Sequence, residues 1–236
     1  MTRGNSQNHT PVILYEDPDL LLVNKPSGLL SVPDGYDPGL PHLKSVLEPD
    51  YGKLWIVHRL DKDTSGILLI ARNADSHRVL NEYFRNRKIE KIYHGLVTPR
   101  PPWQELDIQL PLLVNADRKH RTRVNIKTGK EAHTYCQVKK WFKMGALLEI
   151  QIYTGISHQI RAHLRANDLA LLGDNLYQGG LQAQPFTVLR TMLHARQLGF
   201  AHPTSGKWTK VSAPYPDDFR TAYTNLKLTT TQHLSL

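Results

Sequence analysis

Apolar residues in this chain arrive in short runs, most of them of strand length. Val12-Ile13-Leu14-Tyr15 and Leu20-Leu21-Leu22-Val23 flank the turn Glu16-Asp17-Pro18-Asp19, which predicts a pair of short strands. Ile67-Leu68-Leu69-Ile70 reads as a buried strand, and residues 91–98, 133–138, 147–153, 193–200 and 207–211 carry further strand-like patterns. Helical spacing appears where Val79, Leu80, Tyr83 and Phe84 recur within residues 74–87, with Arg78, Arg85 and Arg87 off that stripe on a solvated face. A second helix is expected from Ser157, a good N-cap, and a last one over residues 217–225. Strands outnumber helices and do not alternate strictly with them. That favours an α+β fold built on a mostly antiparallel mixed sheet flanked by helices and loops.

Between these elements, residues 31–52 hold Pro33, Pro38, Pro41 and Pro49 with Gly35, Gly39 and Gly52, the signature of a long mobile connection. Residues 99–129 are proline-rich and then basic through Arg118-Lys119-His120-Arg121-Thr122-Arg123, an expected excursion from the core. No repeat or linker divides the chain, so a disordered leader (1–11), one domain (12–225) and a flexible tail (226–236) are expected.

Charge narrows the partners. The 236 residues include 30 Lys and Arg against 21 Asp and Glu, a formal +9, which favours a polyanion: nucleic acid first, an anionic membrane surface second. Cys136 stands alone, so no intramolecular disulfide or Cys-rich metal site can form, as suits a reducing cytoplasm. The N-terminal residues lack the apolar core of a secretory signal, and no apolar run approaches the roughly 20 residues of a membrane span.

The densest chemistry lies in His58-Arg59-Leu60-Asp61-Lys62-Asp63-Thr64-Ser65-Gly66, which sets a carboxylate between cations at the head of an apolar strand. Its D-x-D-x-S-G opening resembles a calcium loop, but Arg72 stands at the twelfth position, where that loop needs a bidentate Glu. His158 and His163 are five residues apart, the wrong spacing for a zinc helix, and no phosphate loop or G-x-S-x-G elbow is present. Neither a metal nor a cofactor is therefore expected. What remains is carboxylate chemistry: Arg59 and Lys62 favour ionised Asp61, which can act as nucleophile or base. A second constellation, Gly155-Ile156-Ser157-His158-Gln159-Ile160-Arg161-Ala162-His163, puts His158, Arg161 and Arg165 on one helical face. Arg161 sits near the helix N-terminus, where the dipole disfavours a cation, which suggests an anionic partner such as a phosphate or Asp61.

These motifs and others resemble, in order, those of RluA-type RNA pseudouridine synthases. The resemblance takes in Val23-Asn24-Lys25-Pro26, the His58 to Gly66 string, Lys91-Ile92-Tyr93, Gly129-Lys130-Glu131-Ala132-His133-Thr134, residues 154–163, Gly173-Asp174-Asn175-Leu176-Tyr177 and residues 193–203. It implies the pseudouridine synthase fold and cofactor-free isomerisation of a flipped-out uridine in tRNA or ribosomal RNA. By the same resemblance Asp61 is the catalytic aspartate, Tyr93 lies against the uracil, and Arg161 pairs with Asp61. Arg59 fills the space left by the flipped base, and His58, Thr64, His158 and Gln159 are substrate contacts. Lys119, Arg121, Arg123 and Lys127 are candidate phosphate contacts.

Ile156 stands where relatives usually carry Arg, and no segment matches the small N-terminal RNA-binding domain of many relatives. Substrate selection is then expected to rest on the catalytic domain's own surface. A cytoplasmic monomer without an obligate protein partner is expected. The rivals are a catalytically silent RNA-binding protein that retains the fold, which has no need of an anion in its cleft, and a nucleoside or sugar hydrolase using Asp61 and Asp63, disfavoured by the +9 charge.

Overall fold

The computed structural model describes residues 10–181 and 184–229. By internal contacts the chain falls into two compact units, residues 1–89 with 199–214 and residues 90–198 with 215–236. One boundary falls inside a strand and none in a low-complexity linker, which is why no division shows in the sequence.

Unit 1 begins with β1 (Val12–Glu16) and β2 (Leu20–Lys25), followed by α1 (Leu43–Tyr51), β3 (Trp55–Ile56), β4 (Ser65–Ala71) and α2 (Ala74–Arg85). β2 pairs antiparallel with both β1 and β4, and β3 pairs antiparallel with β4. Leu20 to Val23 and Ile67 to Ala71 are fully buried, so these strands are covered on both faces and read as continuous apolar runs. Asn73 caps α2 by accepting from the Ser76 N–H at 2.8 Å, and the helix packs over β4 and β3.

The long connection expected over residues 31–52 contains a helix. His42 and Ser45 form a capping box at the start of α1, and Leu43 and Leu47, four apart, are both buried. Burial of each leucine contributes about 1.5–3 kcal/mol. The proline that argued against a helix, Pro49, lies near the C-terminal end of α1.

Unit 2 runs through β5 (Glu90–Thr98), β6 (Glu105–Ile108), β7 (Leu112–Leu113), β8 (Arg123–Val124), β9 (Thr134–Trp141), β10 (Ala146–Ile152), α3 (Gln159–Ala166) and β11 (Ala170–Leu171). It includes most of β12 (Leu193–Ala201); β13 (Trp208–Ser212) lies in unit 1, and α4 (Asp217–Leu228) returns to unit 2. β10 lies between β5 and β9, and β6 adds to β9, all antiparallel. The 99–129 stretch is thus only in part an excursion, because β6 joins the sheet while β7 and β8 pair with each other. One face of this sheet is closed by α4: Leu96, Phe142 and Leu147 cluster with Phe219, Ala222 and Leu226. Leu226 is fully buried, so the first residues of the expected tail belong to α4; residues 1–9 and 230–236 lie outside the described residues.

Candidate active site

In unit 1 the turn carrying Asp61 is held almost atom by atom. The Ser31 hydroxyl donates to the Leu60 carbonyl at 2.9 Å and accepts from the Leu60 N–H at 3.0 Å. The Lys62 carbonyl accepts from the Gly28 N–H at 2.9 Å and from Lys25 Nζ at 3.1 Å, and the Asp63 carbonyl accepts from the Ser27 hydroxyl at 3.0 Å. The Thr64 N–H closes the turn onto the Asp61 carbonyl at 3.1 Å. Lys25 has no solvent exposure, and its ammonium also donates to the Pro26 and Leu29 carbonyls. The motif at residues 23–26 is therefore the cradle of the Asp61 turn. Gly66 follows at φ 117°, opposite Lys25 in the β2–β4 ladder, a conformation that side chains rarely tolerate.

Asp61 is half-buried, Arg59 exposed and Thr64 buried. His58 accepts from the Leu69 N–H at its Nε2 (2.9 Å) and stacks on Phe84 with ring centroids 4.6 Å apart. Those contacts tie the turn to β4 and α2.

In unit 2 the helix α3 is seated by a directional chain of buried hydrogen bonds. The His133 N–H donates to Thr154 Oγ1, that hydroxyl to Gln159 Oε1, the Gln159 amide to Thr134 Oγ1, and Thr134 to His163 Nδ1. His163 Nε2 completes it by donating to the Leu110 carbonyl at 2.9 Å. Burial pushes the His163 pKa down, against the pull of the Leu110 carbonyl, and the neutral ring that results is the one this chain requires. The sequence places Gln159 among the substrate contacts, but the fold closes it off. It is 3% exposed, and its second N–H and second lone pair go to the His133 carbonyl and the Ile156 N–H. With four bonds made, its amide is saturated.

Arg161 is anchored by a buried carboxylate. Its Nε and a terminal nitrogen make a two-pronged pair with Asp174 at 2.7 and 2.8 Å, and its guanidinium lies 4.9 Å from the Tyr177 ring centroid. An anionic partner for Arg161 is thus present in Asp174, which is 1% exposed and also accepts from the Leu176 and Tyr177 N–H groups. The Tyr177 hydroxyl accepts from the Thr122 N–H and bonds His158 Nδ1 at 3.2 Å. Burial raises the Tyr177 pKa, chiefly against the Thr122 and Arg161 contributions, so the phenol stays protonated. His158, rather than Ser157, caps α3, and does so at φ 58° without a side-chain cap; the Ser157 carbonyl instead accepts from the Thr122 hydroxyl at 2.7 Å. Tyr93 lies on β5 opposite Ile150 and is 7% exposed. Ile156 is half-buried in an apolar cluster with Leu112, Ala162 and Tyr177.

Among the basic candidates, Arg121 and Arg123 both pair with Asp117, at 2.7 and 2.8 Å, while Lys119 is exposed. Desolvation opposes the Asp117 charge, but hydrogen bonds from the Arg121 guanidinium and the Arg121 and Lys119 N–H groups hold its carboxyl down at about 2. The loop is thus ordered around an internal anion.

One group of potential metal ligands comes together among the described residues: Asp17, Asp19 and His202. Asp17 accepts from Tyr15, His202 and two backbone N–H groups, and Asp19 from Asn73, Ser76 and Thr204. Those donors make the group a structural corner between the β1–β2 turn, α2 and the turn before β13.

The sequence missed Lys25, Asp174 and Tyr177 as structural supports of these two segments. The signal was present in Val23-Asn24-Lys25-Pro26 and Gly173-Asp174-Asn175-Leu176-Tyr177, but nothing local says that the lysine and the aspartate are buried.

A family model described as RNA pseudouridylate synthase matches residues 19–166, a span that includes both Asp61 and α3. The chain belongs to the RNA pseudouridine synthase family. Ribosomal large subunit pseudouridine synthase C of Buchnera aphidicola subsp. Baizongia pistaciae is 36% identical over 225 residues, 91% of this chain and 70% of that protein. The dual-specificity RNA pseudouridine synthase RluA of Escherichia coli K12 is 35% identical over 204 residues, 86% of this chain and 92% of that one. Among solved structures, human RNA pseudouridylate synthase domain containing 4 matches with a TM-score of 0.75 at 25% identity, covering 91% of this chain and 92% of its own. The synthase is of the RluA type, an isomerase whose substrate is RNA. No helix among its described residues is long and apolar enough to cross a membrane.

Proposed function

We propose that this synthase converts a uridine in structured tRNA or ribosomal RNA to pseudouridine, with Asp61 as the group that acts on the target nucleotide and with no cofactor. The observation that carries the assignment is the cradle: Leu60, Asp61, Lys62 and Asp63 all have main-chain atoms bonded, while the Asp61 carboxylate is left half-buried at the turn. A carboxylate on so constrained a turn is pre-oriented, and that is what a nucleophile or base needs.

The reaction breaks the N1–C1′ bond of uridine and forms C5–C1′; the C5 hydrogen leaves as a proton and N1 gains one. Atoms and electrons balance within the nucleotide, so neither a redox partner nor an energy carrier is called for. Tyr93 lies against the uracil and assists proton transfer, Arg161 helps keep Asp61 ionised, and Arg59 fills the gap in the RNA. Unstacking the base costs a few kcal/mol, least in a loop, which favours a stem-loop target. The names of the two bacterial relatives bring forward large-subunit ribosomal RNA and more than one RNA specificity. The protein works in the cytoplasm as a monomer without an obligate protein partner, and sedimentation velocity would test its oligomeric state.

The test is tritium release from tRNA and ribosomal RNA transcripts labelled at C5 of uridine, comparing the wild type with Asp61→Ala. Release by the wild type alone is expected. Equal release by both would remove Asp61 from the mechanism, and RNA binding without release by either would favour the silent binding protein.

A further inference from the structure

We propose that the tip of the β9–β10 hairpin, with Arg100 beside it, is a second RNA contact that grips the substrate away from the target uridine. It rests on the enzyme's acting on RNA and adds a surface that the resemblance does not assign.

The segment Val138-Lys139-Lys140-Trp141-Phe142-Lys143-Met144-Gly145 is cationic and contains no acid. Lys139, Lys140, Trp141 and Lys143 are exposed, Trp141 by 37%. Arg100 is also exposed, and its guanidinium stands 5.8 Å from the Trp141 ring centroid. Glu149 stands 3.5 Å from Lys139. Cations around an aromatic face are what a nucleic-acid backbone and an unpaired base require together: charge for phosphate, and a ring or guanidinium plane for stacking.

The tip is also rigid. The Phe142 N–H donates to the Gly145 carbonyl at 2.8 Å, and the buried Phe142 ring meets Tyr223 edge-on. The Thr98 hydroxyl donates to the Met144 carbonyl at 3.0 Å. Gly145 packs so closely that a Cβ there would lie 2.1 Å from the Val97 carbonyl oxygen. Lysines and a tryptophan on such a support lose little backbone freedom when they bind.

Register relates Trp141 to the site, while Lys140, opposite Leu147, lies on the face that α4 covers. Trp141 is opposite Ala146, and Ala146 is opposite Val97, four residues along β5 from Tyr93, so all four positions share one face of the sheet. At the usual strand rise Val97 lies about 13 Å from Tyr93 along β5. A few nucleotides of RNA span that distance. An alternative use for Lys139 and Lys140 is to guard the edge of β9 beyond the end of β6, which needs charge but no RNA.

The two uses separate in a binding measurement that needs no turnover. Filter binding of unmodified tRNA transcripts, and separately of large-subunit ribosomal RNA, would be followed against salt for the wild type, Lys140→Ala/Lys143→Ala, Lys140→Arg/Lys143→Arg and Trp141→Ala. Loss of two phosphate contacts should weaken affinity about ten-fold and make the plot of log affinity against log salt shallower by about 1.5. The arginine pair should bind like the wild type, and Trp141→Ala should weaken binding without changing the slope. Circular dichroism and the melting temperature report folding independently. Unchanged affinity and slope in the alanine pair would overturn the proposal and leave the lysines as edge guards. So would binding to anionic phospholipid vesicles that the alanine pair alone loses, with RNA affinity intact. A wild type that binds neither RNA would overturn the proposed function itself.

Discussion

Unit 1 and unit 2 carry their functional residues by different means. Unit 1 holds 13 Lys and Arg against 11 Asp and Glu and is close to neutral, whereas unit 2 holds 17 against 10, a net of +7 of the chain's +9. In unit 1 the Asp61 turn is clamped through main-chain carbonyls by a buried ammonium and two serines. In unit 2 side chains hold one another, Arg161 on Asp174 and Gln159 between two threonines. The carboxylate proposed for chemistry is on the nearly neutral unit, and most of the net positive charge is on the other. A fixed turn serves a group that must not move, while a field over a surface serves a polyanion that must be gathered.

The sharpest test of this contrast is at Asp61. Asp61→Asn should lower tritium release by about 10²–10⁴-fold while the turn stays folded, because the turn is held by backbone bonds the substitution leaves alone. A large fall in melting temperature would show that the carboxylate itself supports the turn.

In unit 2 the largest effect should be on stability. Asp174→Ala removes the bidentate partner of Arg161, whose side chain is 12% exposed, and should cost about 3–5 kcal/mol in urea unfolding. A loss under about 1 kcal/mol would show that the pair is dispensable to the fold. Lys25→Met should follow at about 1–3 kcal/mol, since three carbonyls lose a buried donor while the methionine fills similar space. Hydrogen exchange around residues 60–64 would localise that loss to unit 1, and an unchanged exchange rate there would separate Lys25 from the Asp61 turn.

Acid should divide the units most gently. His163 has a folded pKa below its ordinary 6.5, so its contribution is present above that value and is lost as pH falls toward the folded pKa. Asp117, held at about 2 against an ordinary 3.8, contributes fully above 3.8 and loses that contribution as pH falls to about 2. In unit 1 the depressed carboxyls Asp17 and Asp19 likewise act only below 3.8. Amide protection in α3, corrected for intrinsic exchange, should therefore fall as pH drops below 6.5, before the β1–β2 turn loses its own below 3.8. Simultaneous loss in both would mean that His163 is not the sensitive group.

Most strands were legible because their apolar runs are short and bounded by turn residues, and α2 because its stripe has a helical period. Helix α1 was hidden by the prolines around it and by a histidine N-cap that sequence rules do not favour. The start of α3 slipped by one residue because a left-handed His158, not Ser157, begins it. Asp61, Tyr93, Arg161 and Gln159 were all named from motifs, and no motif says that the Gln159 amide is saturated.

What the sequence by itself determined was the family, the strand-rich architecture and the basic balance, since these follow from local pattern and composition. What only the tertiary structure decided was which polar groups are buried and against what. Lys25 beneath Asp61's turn, Asp174 on Arg161, and Asp117 among its arginines each depend on residues 13 to 37 positions apart or on a turn closing upon itself. Whether a charged side chain faces water or an enclosed partner is set by the packing around it, and no local pattern encodes that.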